Sequence, residues 1–221
     1  VMAALGIGGV AILQATYAAA LRLLPVGIAL LLEYLAVLLV ALFAFFVFRE
    51  RVRARIWVAI VLVLAGLAVV AQVWASTLDP LGVLLGLAAA VSLAFYFLLG
   101  ERQVGQTSPL TVAFWTMTFA TASLALVSGW WELRPATFAT PIDVGGSLGG
   151  LSLPLVIPLA VTVVVGSFAP FLLSFTALRY LSATAAGIAA SSEVLFAFLV
   201  AWLWLGEQLN PWQIAGAGTV L

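Results

Sequence analysis

Two glutamates interrupt runs of otherwise apolar residues: Glu33 in GIALLLEYLAVLL and Glu193 in AAGIAASSEVLFAF. A carboxylate inside an apolar helix costs on the order of 3 kcal/mol on insertion scales, so it faces a cavity or a partner. From such a place it can take up a proton on one side and release it on the other, or hold the ammonium of a small solute. The structural alternative is a protonated glutamate bonded to a neighbouring carbonyl or hydroxyl. Other polar side chains recur at helical spacing, so that each pair shares a face. They are Gln14 with Tyr17, Ser92 with Tyr96, and Trp115 with Thr118. Each pair can line a polar cavity, although bonding between helices accounts for serine and threonine equally well.

The missing residue types narrow the chemistry. The chain has no histidine and no cysteine, which removes most zinc sites, a Ser-His-Asp triad and a thiol nucleophile. All eight basic residues are arginine, so a phosphate loop with its lysine cannot form. No cofactor and no metal are expected, and the chain does not read as an enzyme. A two-carboxylate hydrolase remains formally open, and would need its acids about 5–10 Å apart around a reacting bond.

The elements that position these residues follow from composition. Of 221 residues, 66% are hydrophobic and 7% charged, with eight arginines balancing eight carboxylates, and the mean hydropathy is +1.29. A soluble domain carries about a quarter charged residues. A basic nucleic-acid face and a disulfide framework are excluded as well. The chain reads as an integral membrane protein in which a bilayer crossing takes about 20 apolar residues. Such runs fall at about 3–21, 26–48, 55–76, 81–100, 109–129, 153–178 and 183–205. An eighth starts near Pro211 and has only about 16 Å of rise before Leu221. With the first run beginning at Val1, this predicts a piece of a longer chain.

Pro25, Pro80, Pro109 and Pro211 stand at or just before helix starts, where a missing N–H costs little. The connection from Trp130 to Ser152, rich in proline and glycine, reads as a solvent loop with Trp130 and Trp131 at the interface. Arg49, Arg51, Arg53 and Arg55 cluster in one short loop, which the positive-inside rule puts in the cytoplasm. Alternation then places Arg102 and Arg179 inside, and Arg22, Arg134 and the Trp130–Ser152 loop outside. Gly82 and Gly86 form a small-xxx-small pair, read as close helix packing. Gly166 and Pro170 lie in a span that also holds Pro154 and Pro158, so a bend or hinge is expected there.

The chain also repeats itself. Ala20–Glu50 aligns without gaps on Ala177–Glu207, an offset of 157 residues that matches Arg22 to Arg179 and Glu50 to Glu207. Glu33 falls on Ala190 and Glu193 on Ala36, so the two acids project from similar helix faces. Five crossings separate the copies, and an odd number makes them run in opposite directions. Inverted repeats are a signature of secondary transporters.

The strings PVGIALLLEYLAVLLVALFAFFVFRERV and FAPFLLSFTALRYLSATAAGIAASSEVLFAFLVAWLWLGEQLNPWQIAGAG, with FYFLLGER, resemble the EamA type of the drug/metabolite transporter superfamily. Gly206, Glu207, Leu209, Pro211 and Gln213, with the earlier Ala-Leu-Arg, carry the resemblance most specifically. Within that type, the strings are similar to bacterial amino-acid exporters of the threonine/homoserine kind. The resemblance implies an all-α polytopic bundle of ten helices in a 5+5 inverted repeat. About eight of them are present here, with both termini of the intact protein cytoplasmic. On that count residues 1–76 hold the last three helices of the first repeat and 80–221 the second repeat, cut short in its final helix. Relatives often carry proline where this chain has Val37 and Val194.

The expected function is therefore alternating-access export of a small metabolite such as an amino acid, either proton-coupled or facilitative, across a bacterial inner membrane. Glu33, Glu193, Gln14, Tyr17, Tyr96 and Trp115 are the candidate substrate or proton residues, and Gly166 and Pro170 the candidate hinge. The expected partners are a small solute and the lipid bilayer, with no nucleic acid, in a monomer or homodimer. A lipid or lipid-linked sugar translocator is the alternative, and an intramembrane enzyme or a purely structural subunit lies further off.

Overall fold

The computed structural model describes residues 1–47, 49, 54–71 and 78–206. Within them the chain is an antiparallel and parallel packing of apolar helices, α1 Met2–Ala20, α2 Val26–Phe46, α3 Ala54–Ala71, α4 Pro80–Val104, α5 Pro109–Ala125 and α6 Val156–Leu178. Then follow α7 Ala183–Ala190 and α8 Glu193–Val200, the latter running on into the π turn Ala201–Leu205. Four of these, α1, α2, α4 and α6, are long and apolar enough to cross a membrane. With no water in hydrocarbon, every backbone polar group must pair inside its own segment, and helices do this. The last motif residues, Glu207, Leu209, Pro211 and Gln213, lie outside the described residues, as do Glu50, Arg51 and Arg53.

The helix ends follow local chemistry. Asp79 caps α4 by accepting from Gly82 N at 2.9 Å, and Ser108 caps α5 through Thr111 N. Ser182 caps α7 through Ala185 N, and Pro25 leads into α2. These caps satisfy orphan amides that the bilayer could not. The start of α7 gains a further acceptor from another helix, since Ala183 N donates to Glu101 Oε2 at 3.0 Å.

Small residues let the helices approach closely. A Cβ on Gly82 would come 2.7 Å from Leu24 Cγ, and one on Gly86 2.7 Å from Leu32 Cδ1. The small-xxx-small pair is thus the seam between α4 and α2, as the sequence suggested. These contacts also fix direction. Leu24 meets Gly82 and Leu32 meets Gly86, so α2 and α4 run parallel. Along α7 and α8, Gly187 meets Val37, and Ala190 and Glu193 then meet Tyr34. The second copy of the repeat therefore runs opposite to the first.

The repeat reaches beyond the aligned strings. Leu5–Ala11 in α1 and Thr162–Phe168 in α6 are both π-helical, seven residues each and 157 apart. Ile12 N donates to Ile7 O, and its counterpart Ala169 N to Val164 O, each bond spanning five residues. Pro170 follows the second segment, but Leu13 holds the corresponding place in α1, so a missing N–H is not what the two segments share. The expected hinge region takes the form of a π segment ending just before Pro170. The surroundings of the two segments differ. Gly6 and Gly9 are buried in the helix packing, while Val163, Val164 and Val165 are exposed on the apolar surface.

The connection between α5 and α6 is more ordered than a solvent loop requires. It carries 3₁₀ turns and a small antiparallel hairpin, β1 Pro141–Asp143 with β2 Ser152–Pro154, so α6 begins at Val156 rather than near 153. Trp130 and Trp131 are exposed at its start. Gly146, with a left-handed φ of 56°, leaves room for Trp204, which a Cβ would strike. Asp143 ties the hairpin end by accepting from Gly145 N at 2.8 Å and Gly150 N at 3.0 Å. Those two amides hold its carboxyl below the usual aspartate value of about 3.9. A depressed folded-state value stabilises the ionised loop above that ordinary value, and the stabilisation is lost as pH falls from there through the depressed value. Asp143→Asn will therefore speed hydrogen exchange at the Gly145 and Gly150 amides near neutral pH, after correction for intrinsic rates. The difference from the parent protein will close below about pH 4. Equal rates at neutral pH would show that the carboxylate does not hold the turn.

Candidate functional site

The site is built where α2 crosses the junction of α7 and α8. Ser191 and Ser192 interrupt what the sequence reads as one continuous helix. Their hydroxyls bond back to Ile188 O at 2.6 Å and Ala189 O at 2.7 Å. Such local side-chain bonds compete with the helical ladder. The break moves Glu193 from the middle of a helix to the first turn of α8, where a negative charge is favourable. Its side chain is exposed rather than buried as expected. Interrupted helices beside a repeat interface are where secondary transporters place substrate and ion sites.

Glu33 sits in the eighth position of α2, half-buried. It lies within electrostatic reach of Glu193, and both carboxylates act on the half-buried Tyr17 of α1. Tyr34, buried beside Glu33, joins the two copies directly. Its Oη lies 2.9 Å from Ala190 O and 2.9 Å from Glu193 Oε2. Among the described residues, Glu33 takes no hydrogen bond and no arginine pairs with either acid. A cation such as an ammonium placed between two acids would be attracted by both.

Of the candidate residues, the structure brings Glu33, Glu193 and Tyr17 together. Gln14 is exposed on α1, one turn before Tyr17. Tyr96 stands apart: it is buried among Phe97, Phe171 and Phe175, with ring centroids 5.0–5.6 Å away. Its hydroxyl faces Ser174 of α6 but makes no hydrogen bond of ordinary length. Ser92 is buried one turn earlier. Trp115 is 45% exposed on α5 and packs on Phe114 and Phe119, while Thr118 bonds back to Phe114 O. That face does not join the carboxylates. Gly166 is exposed, and a Cβ there would meet only Thr162 of its own turn, at 3.5 Å.

Tyr34 and the serine break were missed from sequence. The available signal was a phenol in the stripe Tyr34, Val37, Ala41, Ala44, the buried face of α2. A separate cleft of about 560 Å³ opens between the C-terminal halves of α2 and α4, lined by Leu39, Phe43, Phe46, Val91 and Leu98 with Arg102 at its edge. It shares no residue with the carboxylate site, and its walls are apolar apart from Arg102.

Apolar crossing helices and two helix copies that run antiparallel are the architecture of membrane transporters. The chain belongs to the EamA-like transporter family, whose pattern matches residues 1–72 and 80–221. Among curated relatives, it is 28% identical over 210 residues to an uncharacterized transporter of Archaeoglobus fulgidus, covering 94% of this chain and 68% of that one. It is 29% identical over 204 residues to the threonine/homoserine exporter RhtA of Escherichia coli K12, covering 91% of this chain. The chain spans 62% of that exporter's length. A solved crystal structure has the same fold, with a TM-score of 0.72 and 22% identity over 99% of this chain and 71% of its own.

Proposed function

We propose that this protein is a secondary-active exporter of a small zwitterionic amino acid, working by alternating access with a proton exchanged for solute. The observation that carries the reading is the bond from Tyr34, next to Glu33 on one helix copy, to Glu193 on the antiparallel other, with no arginine to neutralise either acid among the described residues. An amino acid supplies an ammonium to such a site. A proton supplies the same charge when the solute has left, and this mutual exclusion is the physical basis of exchange. The likeness to a threonine/homoserine exporter supports the solute class and the outward direction.

In this reading residues 1–76 and 80–221 belong to two inverted repeats, a division supported by the recurrence of the π segments 157 residues apart. The arginine distribution supports a cytoplasmic Arg49–Arg55 loop and an extracytoplasmic Trp130–Ser152 loop in a cell inner membrane. Gly166 lies within, and Pro170 just beyond, the segment whose backbone register can shift as the halves rock.

The test uses the protein in liposomes loaded with radiolabelled threonine or homoserine and diluted into a more acidic medium. Efflux several-fold above protein-free vesicles, with proton entry, is the expected result. No efflux of either solute at any pH gradient overturns the amino-acid reading.

A further inference from the structure

We infer that Tyr34 is the switch that lets the contact between the two helix copies respond to a proton on Glu193. Its hydroxyl has one hydrogen to give and lone pairs to accept with, yet two oxygens stand at 2.9 Å from it. One is the carbonyl of Ala190, the last residue of α7, which takes no other donor among the described residues. The nearby donors are committed elsewhere: Ser191 N bonds to Gly187 O and Ile188 O, and both serine hydroxyls bond further back. The other oxygen is Glu193 Oε2.

The arrangement is fully satisfied in one protonation state only. With Glu193 protonated, its O–H donates to Tyr34 Oη, and Tyr34 donates its own hydrogen to Ala190 O. All three groups are then paired, and the link runs from α8 through α2 to the end of α7. With Glu193 ionised, the carboxylate is acceptor-only and draws the phenolic hydrogen, because a charged acceptor is the stronger one. The Ala190 carbonyl then loses its donor, and the crossing opens to water or shifts. The proton comes from water on whichever side the exposed Glu193 faces and returns there. No bond within the phenol breaks.

Glu33 and Tyr34 on α2, Tyr17 on α1 and Glu193 itself are the titratable groups sharing the site, and no arginine acts on them among the described residues. Glu33, lacking the Tyr34 bond, takes the proton or ammonium that moves. Glu193 reports occupancy to the helix contact. This assignment rests on the proton-coupled reading above for its role in transport, but its test needs no solute.

The protein has no cysteine, so spin labels can be placed cleanly at the exposed Phe46 and Leu181, at the end of α2 and the approach to α7. In liposomes, the distance between labels will differ between a pH at which Glu193 is protonated and one at which it is ionised. The shift will vanish in Tyr34→Phe, and Glu193→Gln will hold the acidic-form distance throughout, since the amide can still donate to Tyr34. A Tyr34→Phe protein that keeps the pH-dependent shift overturns the proposal. Should that variant not fold, pH-difference infrared spectra of the parent and Glu193→Gln decide. A tyrosine mode that responds to pH in the parent and is silent in the variant supports the switch, and one equally responsive in both overturns it. If neither threonine nor homoserine moves while these signatures appear, the transport reading falls and the switch stands. If efflux is proton-coupled and Tyr34→Phe changes nothing, the reverse holds.

Discussion

Replacing Glu33 by glutamine will abolish the ability of a pH gradient to drive solute across the membrane. For a one-for-one exchange, each pH unit sustains about a tenfold solute gradient. In the variant that gradient should relax to the passive level. The substitution preserves size, and Glu33 is half-buried and takes no hydrogen bond among the described residues. The fold should therefore survive with a change within about 0.5 kcal/mol, as expected for a site without a specific bonding role. Accumulation of labelled threonine or homoserine under an imposed gradient, beside a melting curve in the same detergent, separates the two effects. Unchanged accumulation would remove Glu33 from the coupling step. Loss of melting temperature equal to that of a core mutant would make it a packing residue instead.

The helices were legible because lipid leaves the chain little choice. A long apolar run must close its own hydrogen bonds, and Pro25, Pro80 and Pro109 mark starts that the structure keeps within a residue or so. The two acids were legible for a related reason, since their cost in an apolar run sets them apart. The break at Ser191–Ser192 was harder to see because it depends on hydroxyls turning back to Ile188 and Ala189. The same serines would sit in an unbroken helix if they bonded sideways. Tyr34 was hidden by a different ambiguity. A phenol beside Glu33 reads as core, and its hydroxyl gains meaning only when α7 ends against it. The π segments have no period of their own in LGIGGVA or TVVVGSF, where apolar residues lie on every face. Only the structure shows the backbone repeating where the side chains do not.

That contrast between equal backbones and unequal surroundings leads to the second large effect, a pair of substitutions with opposite signs. Gly6 and Gly166 both lie in π segments with ordinary negative φ, since neither is among the glycines of left-handed conformation. Alanine at either site should gain about 0.5–1 kcal/mol from the restricted unfolded chain. At Gly166 nothing opposes this gain among the described residues, as the new Cβ meets only Thr162 Cγ2 at 3.5 Å. At Gly6 the Cβ would lie 2.6 Å from Thr116 O, 2.8 Å from Phe119 Cβ and 3.1 Å from Ala120 N. Two of these are backbone atoms of α5, so α1 and α5 must move apart as rigid bodies. Overpacking of that kind costs about 1–3 kcal/mol, more than the entropic gain returns. Gly6→Ala will therefore melt several degrees below the parent, and Gly166→Ala slightly above it. If Gly166 also serves as a hinge, its alanine variant will be the more stable protein and the slower transporter, because the flexibility it loses is the flexibility that rocking uses. Two variants that melt alike would show that neither π segment is held by the contacts described, and a Gly166→Ala protein of undiminished rate would place the bending elsewhere in α6.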